Sequence, residues 1–471
     1  MNRKRNLKLA AMLAMAALVL VMVACAAAAS TPEPAVAPHL EEAASEGERE
    51  AKSDVAAEEP AEEAGVGSGE VEYEEAEEMP PAAPMPTAEA ADAAKMAEAG
   101  GYGGGGGEGD VVTVPDEQFQ VSLTAGEIDD NADFSAYLQY RLDFQRFLGG
   151  SVPVHDVDIS ERHTIRVTGS NGLPLLGAEV LVYDGQNLVT ALRTPATGIV
   201  YFFPFAYPAH ANAGDYTVTV QKGSKSKEFG LTRGQTDAVW DMSLDTRSSR
   251  QQVQLDVLFL LDSTGSMGDE IAQLKDNILS ISAQVAALPS SPDVRFGMVT
   301  YRDREDVYVT RVTDFTADVR EFQTALQEVQ AAGGGDNPES LNEALHFAIW
   351  DVDWRIEDTV SLIFLVADAP PHLDYAQDYD YAEEMMNAAG LGIKIHPIAS
   401  SGLDDQGEYI FRQIGQFTGG HFIFLTYEET PQTSGEPGTE HHVQEESYTV
   451  EDLDALVVRL IQKELAALSG E

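Results

Sequence analysis

Residues 255–261 read Leu-Asp-Val-Leu-Phe-Leu-Leu and run straight into Asp262-Ser263-Thr264-Gly265-Ser266-Met267-Gly268. An apolar run this nearly unbroken demands cover on both faces, which a strand inside a parallel sheet provides. Beyond the glycines, Ile271, Leu274, Ile278, Ile281 and Val285 recur along one helical stripe. The same alternation continues to the C-terminus. Strands are expected at 294–299, 308–312, 360–367, 393–398 and 421–425. Helices are expected at 319–329 and 340–350, near Tyr381 and Ile410, and on the final stripe of Leu453, Leu456, Val457, Leu460 and Ile461. This pattern predicts an α/β fold, a doubly wound and mostly parallel sheet over 253–468. Ligands of such sheets bind beyond the carboxyl ends of the strands, at the topological switch.

A chain of 471 residues exceeds what one ordinary core supports, so other domains are expected ahead of this sheet. Arg3, Lys4, Arg5 and Lys8 precede an uncharged apolar stretch that ends at Ala24. That is the order of a secretory signal peptide over 1–24, and the stretch is short for a spanning helix, which needs roughly 20 apolar residues. It closes on Met22-Val23-Ala24-Cys25, and Cys25 is the single cysteine of the chain. The tetrapeptide resembles the bacterial lipobox, which implies that Cys25 becomes an acylated N-terminus. A chance cysteine after an ordinary cleavage site is the alternative. Acyl chains add ~0.8 kcal/mol per buried CH₂, so several together hold a protein at a membrane. The expected location is the bacterial cell envelope, lipid-anchored outside the cytoplasmic membrane. One cysteine also excludes an internal disulfide.

Acidic side chains number 79 against 29 basic ones, a formal net charge of −50 that disfavours nucleic acid or an anionic lipid surface as partner. Much of the excess lies in 25–110, where Glu, Ala, Pro and Gly dominate. So few large apolar groups cannot offset the entropy of ordering, and a disordered, self-repelling tether is expected there. Binding of Ca²⁺ or a basic partner is the alternative for its acidic clusters.

Order is expected to begin near Val111. In 111–158, Phe119, Val121 and Leu123 alternate as a short strand would, and Phe134, Tyr137, Leu138, Leu142 and Phe147 are spaced as on a helix. Asp129, Asn131 and Asp133 fall at the first positions of an EF-hand-like loop. However, Phe134 stands where the turn needs Gly, and Tyr140 where the bidentate Glu belongs. An Asx-type turn with Asp133 as helix N-cap accounts for them better. Over 159–246 short alternating runs at 164–167, 179–183, 200–203, 216–220 and 239–242 are punctuated by Asn171-Gly172, Asp184-Gly185, Gly214-Asp215 and Gly223-Ser224. They predict a small antiparallel β-sandwich. The segment resembles bacterial immunoglobulin-like or carboxypeptidase-regulatory-like repeats, notably around Leu173-Pro174-Leu175-Leu176-Gly177 and at Gly198, which implies a spacer. His163 and His210 are isolated and receive no role.

Two motifs fall where the switch-point rule asks for a site. Asp262-Ser263-Thr264-Gly265-Ser266 ends one apolar strand, and Asp368-Ala369-Pro370-Pro371-His372 follows another. Here the residues resemble the von Willebrand factor type A (VWA) family, whose metal-ion-dependent adhesion site, or MIDAS, uses Asp-x-Ser/Thr-x-Ser and a later acid. Asp262, Thr264, Ser266 and Asp368 meet that pattern. The loop Gly333-Gly334-Gly335-Asp336-Asn337-Pro338-Glu339 resembles a bacterial and extracellular-matrix branch of the family. The third position, usually Thr, is carried over to Asp336, with Glu339 as alternative; for Glu339 the simpler reading is a carboxylate at a helix start. Residues 297–303 and 414–421 match the same branch. Hard oxygen donors suit Mg²⁺, with Mn²⁺ or Ca²⁺ as alternatives. The resemblance implies direct coordination by Thr264 and Ser266, with Asp262 and Asp368 acting through water. It further implies cell adhesion through a protein ligand, bound by its Asp or Glu carboxylate, and no enzyme activity.

Other classes leave more residues unexplained. A dehalogenase-type Asp nucleophile needs a second Asp where Thr264 stands. Gly-Lys-Ser/Thr never follows the glycines, so no phosphate loop is present. A serine hydrolase using Ser266 is a partial match to Gly-x-Ser-x-Gly, with Thr264 at the first position and His372 or His421 as base. A structural envelope protein with a non-binding VWA fold is the third reading.

Overall fold

A computed structural model describes residues 123–235, 238–247, 252–335, 337–426, 442, 448 and 450–469. The expected signal peptide, Cys25, the tether, all but Leu123 of the strand expected at 119–123, and Asp336 lie outside the described residues.

The elements open with β1 (Thr124–Ile128) and α1 (Phe134–Phe147). Seven strands follow: β2 (His163–Thr168), β3 (Glu179–Asp184), β4 (Asn187–Arg193), β5 (Ile199–Phe202), β6 (Asp215–Lys222), β7 (Lys225–Thr232) and β8 (Val239–Ser243). The alternating part begins with β9 (Gln254–Asp262), α2 (Gly268–Ala286), β10 (Asp293–Tyr301), β11 (Thr310–Thr316), α3 (Val319–Gln327) and α4 (Leu341–Trp350). It continues with β12 (Thr359–Ala367), α5 (Tyr381–Leu391), β13 (Ile393–Ala399), α6 (Asp405–Thr418), β14 (Phe422–Thr426), β15 (Val450–Asp452) and α7 (Leu453–Ala467).

In the large sheet the strands lie in the order β11-β10-β9-β12-β13-β14-β1-β15. The run from β10 to β14 is parallel, whereas β11, β1 and β15 pair antiparallel. β9 is central and buried along its length from Leu255 on. Its side chains divide between two cores as the two-residue period requires. Leu255, Val257, Phe259 and Leu261 pack under α2, α3 and α7, while Leu258 and Leu260 pack under α4, α5 and α6. Asp256 interrupts the apolar run at the end of β9 away from Asp262. Its buried carboxylate is held by Arg295 at 3.0 and 2.7 Å and by Arg355 at 3.0 and 2.7 Å.

β1 was not legible in the sequence. A strand not expected from the sequence, Thr124-Ala125-Gly126-Glu127-Ile128, is inserted antiparallel between β14 and β15. Gly126 is required there, because a Cβ would collide with the ring of Phe424 on the neighbouring strand. Asp133 caps α1, accepting from the Ala136 N–H at 3.1 Å, and Asp129 closes the preceding turn on the N–H groups of Asn131 and Ala132. Tyr137 of α1 lies in the core under α6. The described part of 111–158 is thus built into the large sheet, and β2–β8 interrupt that domain in sequence.

β2–β8 form a three-stranded sheet, β5-β2-β8, and a four-stranded sheet, β4-β3-β6-β7. One core joins them: Ile165, Val167 and Phe202 from the first, Val180, Val182, Val218 and Val220 from the second. Within it β2 and β8 pair parallel, unlike the antiparallel arrangement expected throughout. β4 and β7 had no expected counterpart. Both are edge strands; β7 is mostly exposed and β4 mostly half-buried, and Lys225-Ser226-Lys227-Glu228 lacks the apolar alternation that marks a half-buried strand.

Candidate metal centre

Asp262 is the last residue of β9, and Asp368 directly follows β12, its hydrogen-bonded parallel neighbour. β10 lies on one side of β9 and β12 on the other, so the winding reverses at this point. The strand register therefore brings two carboxylates distant in sequence to one end of the sheet.

The turn after β9 is tightly bonded. Asp262 Oδ1 accepts from the Thr264 N–H at 2.9 Å and the Thr264 hydroxyl at 2.7 Å, and the Thr264 and Ser266 hydroxyl oxygens are 3.0 Å apart. A short 3₁₀ turn, Gly265–Met267, then leads into α2. The glycine-rich loop is stitched to this turn: Gly265 N–H donates to Gly333 O at 2.9 Å, and Ala332 N–H to Ser263 O at 3.1 Å. Gly333 and Gly334 both have positive φ, 80° and 66°, and Asp306 occupies the space that a Cβ on Gly333 would need. Arg302 holds the loop from below, its guanidinium donating to Ser263 O at 3.1 Å and Gln330 O at 2.8 Å.

Three carboxylates here are buried with an oxygen that has no hydrogen-bond partner among the described residues: Asp262 Oδ2, Asp368 Oδ1 and Glu339 Oε2. Burial pushes the Asp262 carboxyl up to about 7, and the Asp368 charge adds to the rise. Asp368 is itself raised by burial, helped by Glu270 and opposed by a hydrogen bond from Ser266. Burial also pushes Glu339 up to about 9, reinforced by Asp262, Asp303, Asp368 and Asp306. Like charges crowded out of water in this way call for a cation. The donor set of carboxylates and hydroxyls is the hard oxygen kind that Mg²⁺ takes.

Glu339 corrects the sequence reading. α4 begins at Leu341, so Glu339 precedes the helix. Its N–H donates to Pro370 O and its carbonyl accepts from the His372 N–H, both at 3.0 Å, which ties it to the chain leaving Asp368. The local signal of Pro followed by Glu suggested a helix start; the tie to 370–372 is non-local and left no mark in the sequence.

The supporting residues were also missed. Asp303 accepts from the Ser340 hydroxyl at 2.8 Å and the Tyr375 hydroxyl at 3.0 Å, and Asp306 Oδ2 accepts from the Gly334 N–H at 2.8 Å. His372 is held by Asp374 at 2.7 Å and stacks on Tyr375. His421 stands at the start of β14, the opposite end of the sheet, beside Glu127 and Asp129. Ser266 meets the Thr264 hydroxyl, while both imidazoles weighed as bases are engaged elsewhere.

Comparison with known proteins bears on the domain that carries this arrangement. Residues 256–390 match the model of the von Willebrand factor A domain. The chain is similar to the alpha-protein kinase vwkA of Dictyostelium discoideum, 27% identical over 196 residues, covering 41% of this chain and 31% of that protein. It is similar to mouse hemicentin-1, 30% identical over 128 residues, covering 27% and 2% respectively. Human von Willebrand factor A domain-containing protein 7 is 34% identical over 113 residues, covering 24% and 12%. The chain thus spans less than a third of the length of each of these relatives. These matches support a VWA domain in the chain.

Proposed function

We propose that the VWA domain binds a divalent cation, Mg²⁺ foremost, at Asp262, Thr264, Ser266 and Asp368, and through it a protein partner. A VWA domain suggests protein–protein interaction or adhesion. One observation carries the metal: the unpartnered Oδ2 of Asp262 and Oδ1 of Asp368 share one sheet end with the Thr264–Ser266 hydroxyl pair. When bound, the ion would supply an electrophilic centre whose open position takes an oxygen from a partner. The two hydroxyls would hold it directly and the two carboxylates balance its charge. Asp336 is proposed as a further ligand on the resemblance alone.

The reading extends to placement. With Cys25 acylated, 25–110 would act as the tether and β2–β8 as a spacer module within a lipid-anchored envelope protein. Isothermal titration of Mg²⁺ into the folded full chain tests the site. Heat above the buffer blank is expected at millimolar metal, and its absence would sink the reading. Globomycin treatment of cells making the protein, with accumulation of the uncleaved form, checks the anchor.

A further inference from the structure

We propose that Glu339 is a third carboxylate of the cation site, and that its charge selects partners presenting a neutral oxygen rather than an acidic side chain. The inference rests on the metal-site reading given above. Glu339 is 3% exposed and its Oε2 has no hydrogen-bond partner among the described residues. Buried carboxylates are ordinarily paired or set against a cation. The nearby guanidinium groups are engaged elsewhere: Arg302 on the carbonyls of Ser263 and Gln330, Arg304 on Asp378 at 2.8 Å.

Position is fixed from two sides. The backbone bonds to Pro370 and His372 tie Glu339 to the chain that leaves Asp368. On the other side Gly334 lets the carboxyl approach the hydroxyl pair. A Cβ built there would stand 2.7 Å from Glu339 Oε1 and 3.0 Å from Thr264 Cβ, so a bare backbone is all that separates them.

Among the described residues no three His, Cys, Asp or Glu side chains gather closely enough to clasp an ion by themselves. As the resemblance implies, the hydroxyls of Thr264 and Ser266 would be the direct donors, with Asp262, Asp368 and Glu339 acting across water. Groups in that outer position typically change metal affinity by about 10–100-fold. Asp262 and Asp368 would neutralise a dication, so Glu339 beyond them leaves the loaded site negative, and Asp336, proposed on the resemblance, adds to that charge. In so dry a setting a further carboxylate from a partner meets repulsion, while an amide or hydroxyl oxygen completes the shell without added charge.

Titration of Mg²⁺ into the full chain and into E339Q and E339T tests the first half. E339Q is expected to bind Mg²⁺ at least about tenfold more weakly. Its melting temperature in EDTA should hold or rise, because a buried carboxyl with an unpartnered oxygen is gone. Equal Mg²⁺ affinity in all three proteins overturns the inference and leaves the metal site standing; no heat with the unaltered chain sinks the metal site itself. Capped Gly-Asp-Gly and Gly-Asn-Gly peptides, in saturating Mg²⁺, read the partner class. The asparaginyl peptide is expected to bind the unaltered chain more tightly, and E339T to narrow that preference. Tighter binding of the aspartyl peptide to the unaltered chain overturns the partner class.

Discussion

Asp130 and Arg412 meet in a buried bidentate ion pair, Arg412 Nε to Oδ2 at 3.0 Å and Nη2 to Oδ1 at 2.6 Å. It joins the turn after β1 to α6, and the guanidinium also lies 3.8 Å from the ring centroid of Tyr140 on α1. The turn after β1 and α1 itself are thereby locked to a helix 282 residues from Asp130 in sequence.

Removing one partner of such a pair strands the other charge away from water. Arg412→Met is expected to destabilise the protein by about 3–5 kcal/mol, and the double variant with Asp130→Asn to recover much of that. Urea unfolding of the two variants beside the unaltered protein measures it. A loss below about 1 kcal/mol in the single variant would show that the pair does not lock these elements together.

Because β1 lies between β14 and β15, a chain cut to begin at Gln252 loses an inner strand of the sheet. It exposes the ladder of β14 and leaves β15 without a partner. Such a fragment is expected to aggregate or melt well below a chain that begins at Val112. Size-exclusion chromatography and thermal melting compare them. A monomeric short fragment with an unchanged melting temperature overturns this role for β1.

Glu161 links the start of β2 to the turn after β7. It accepts from Arg233 Nε at 2.9 Å and from the Gly234 N–H at 3.1 Å, and lies 2.8 Å from the His163 ring. Burial would raise its pKa, but the bonds from Arg233, His163 and Gly234 outweigh burial and lower it from 4.5 to about 2. A carboxyl depressed on folding adds stability above its unfolded pKa, and that stability disappears as the pH falls through the folded value. Glu161→Gln should therefore melt below the unaltered protein at pH 7, and the gap should close between pH 4.5 and about 2. Thermal scans across that range check it; a gap that persists at the acid end means the carboxylate charge is not what holds the turn.

What the sequence disclosed follows physical locality. The run from Leu255 to Leu261 and the stripe from Ile271 to Val285 are self-contained periodic signals, and both appear as β9 and α2. Asp262, Thr264 and Ser266 fall within five residues, so one motif gathers them. Thr124-Ala125-Gly126-Glu127-Ile128 carries no comparable signal, because only pairing with β14 and β15 makes it a strand. Glu339 was misread for the same reason: its neighbours in sequence resemble a helix start, and its neighbours in space are Thr264 and the chain beyond Asp368. The helix expected at 340–350 already left Glu339 just outside it, and α4 starts one residue later, at Leu341.

Metal binding and folding should be coupled through Asp368. Without a cation, this buried carboxyl faces Asp262 and Glu270 and destabilises the fold. With one, the same charge contributes to the site. Asp368→Asn is therefore expected to melt higher than the unaltered protein in EDTA and to show no Mg²⁺-dependent rise. The unaltered protein should gain about 2.7 kcal/mol at a Mg²⁺ concentration one hundred times its Kd, because only the folded state binds. Ser266→Ala separates charge from coordination. It removes a hydroxyl donor without removing a negative charge, so it should lose most of the Mg²⁺ shift with no gain in EDTA. If Asp368→Asn and Ser266→Ala both kept the full Mg²⁺ shift, the ion would have to bind elsewhere, and the crowding of Asp262, Asp368 and Glu339 would need another cause.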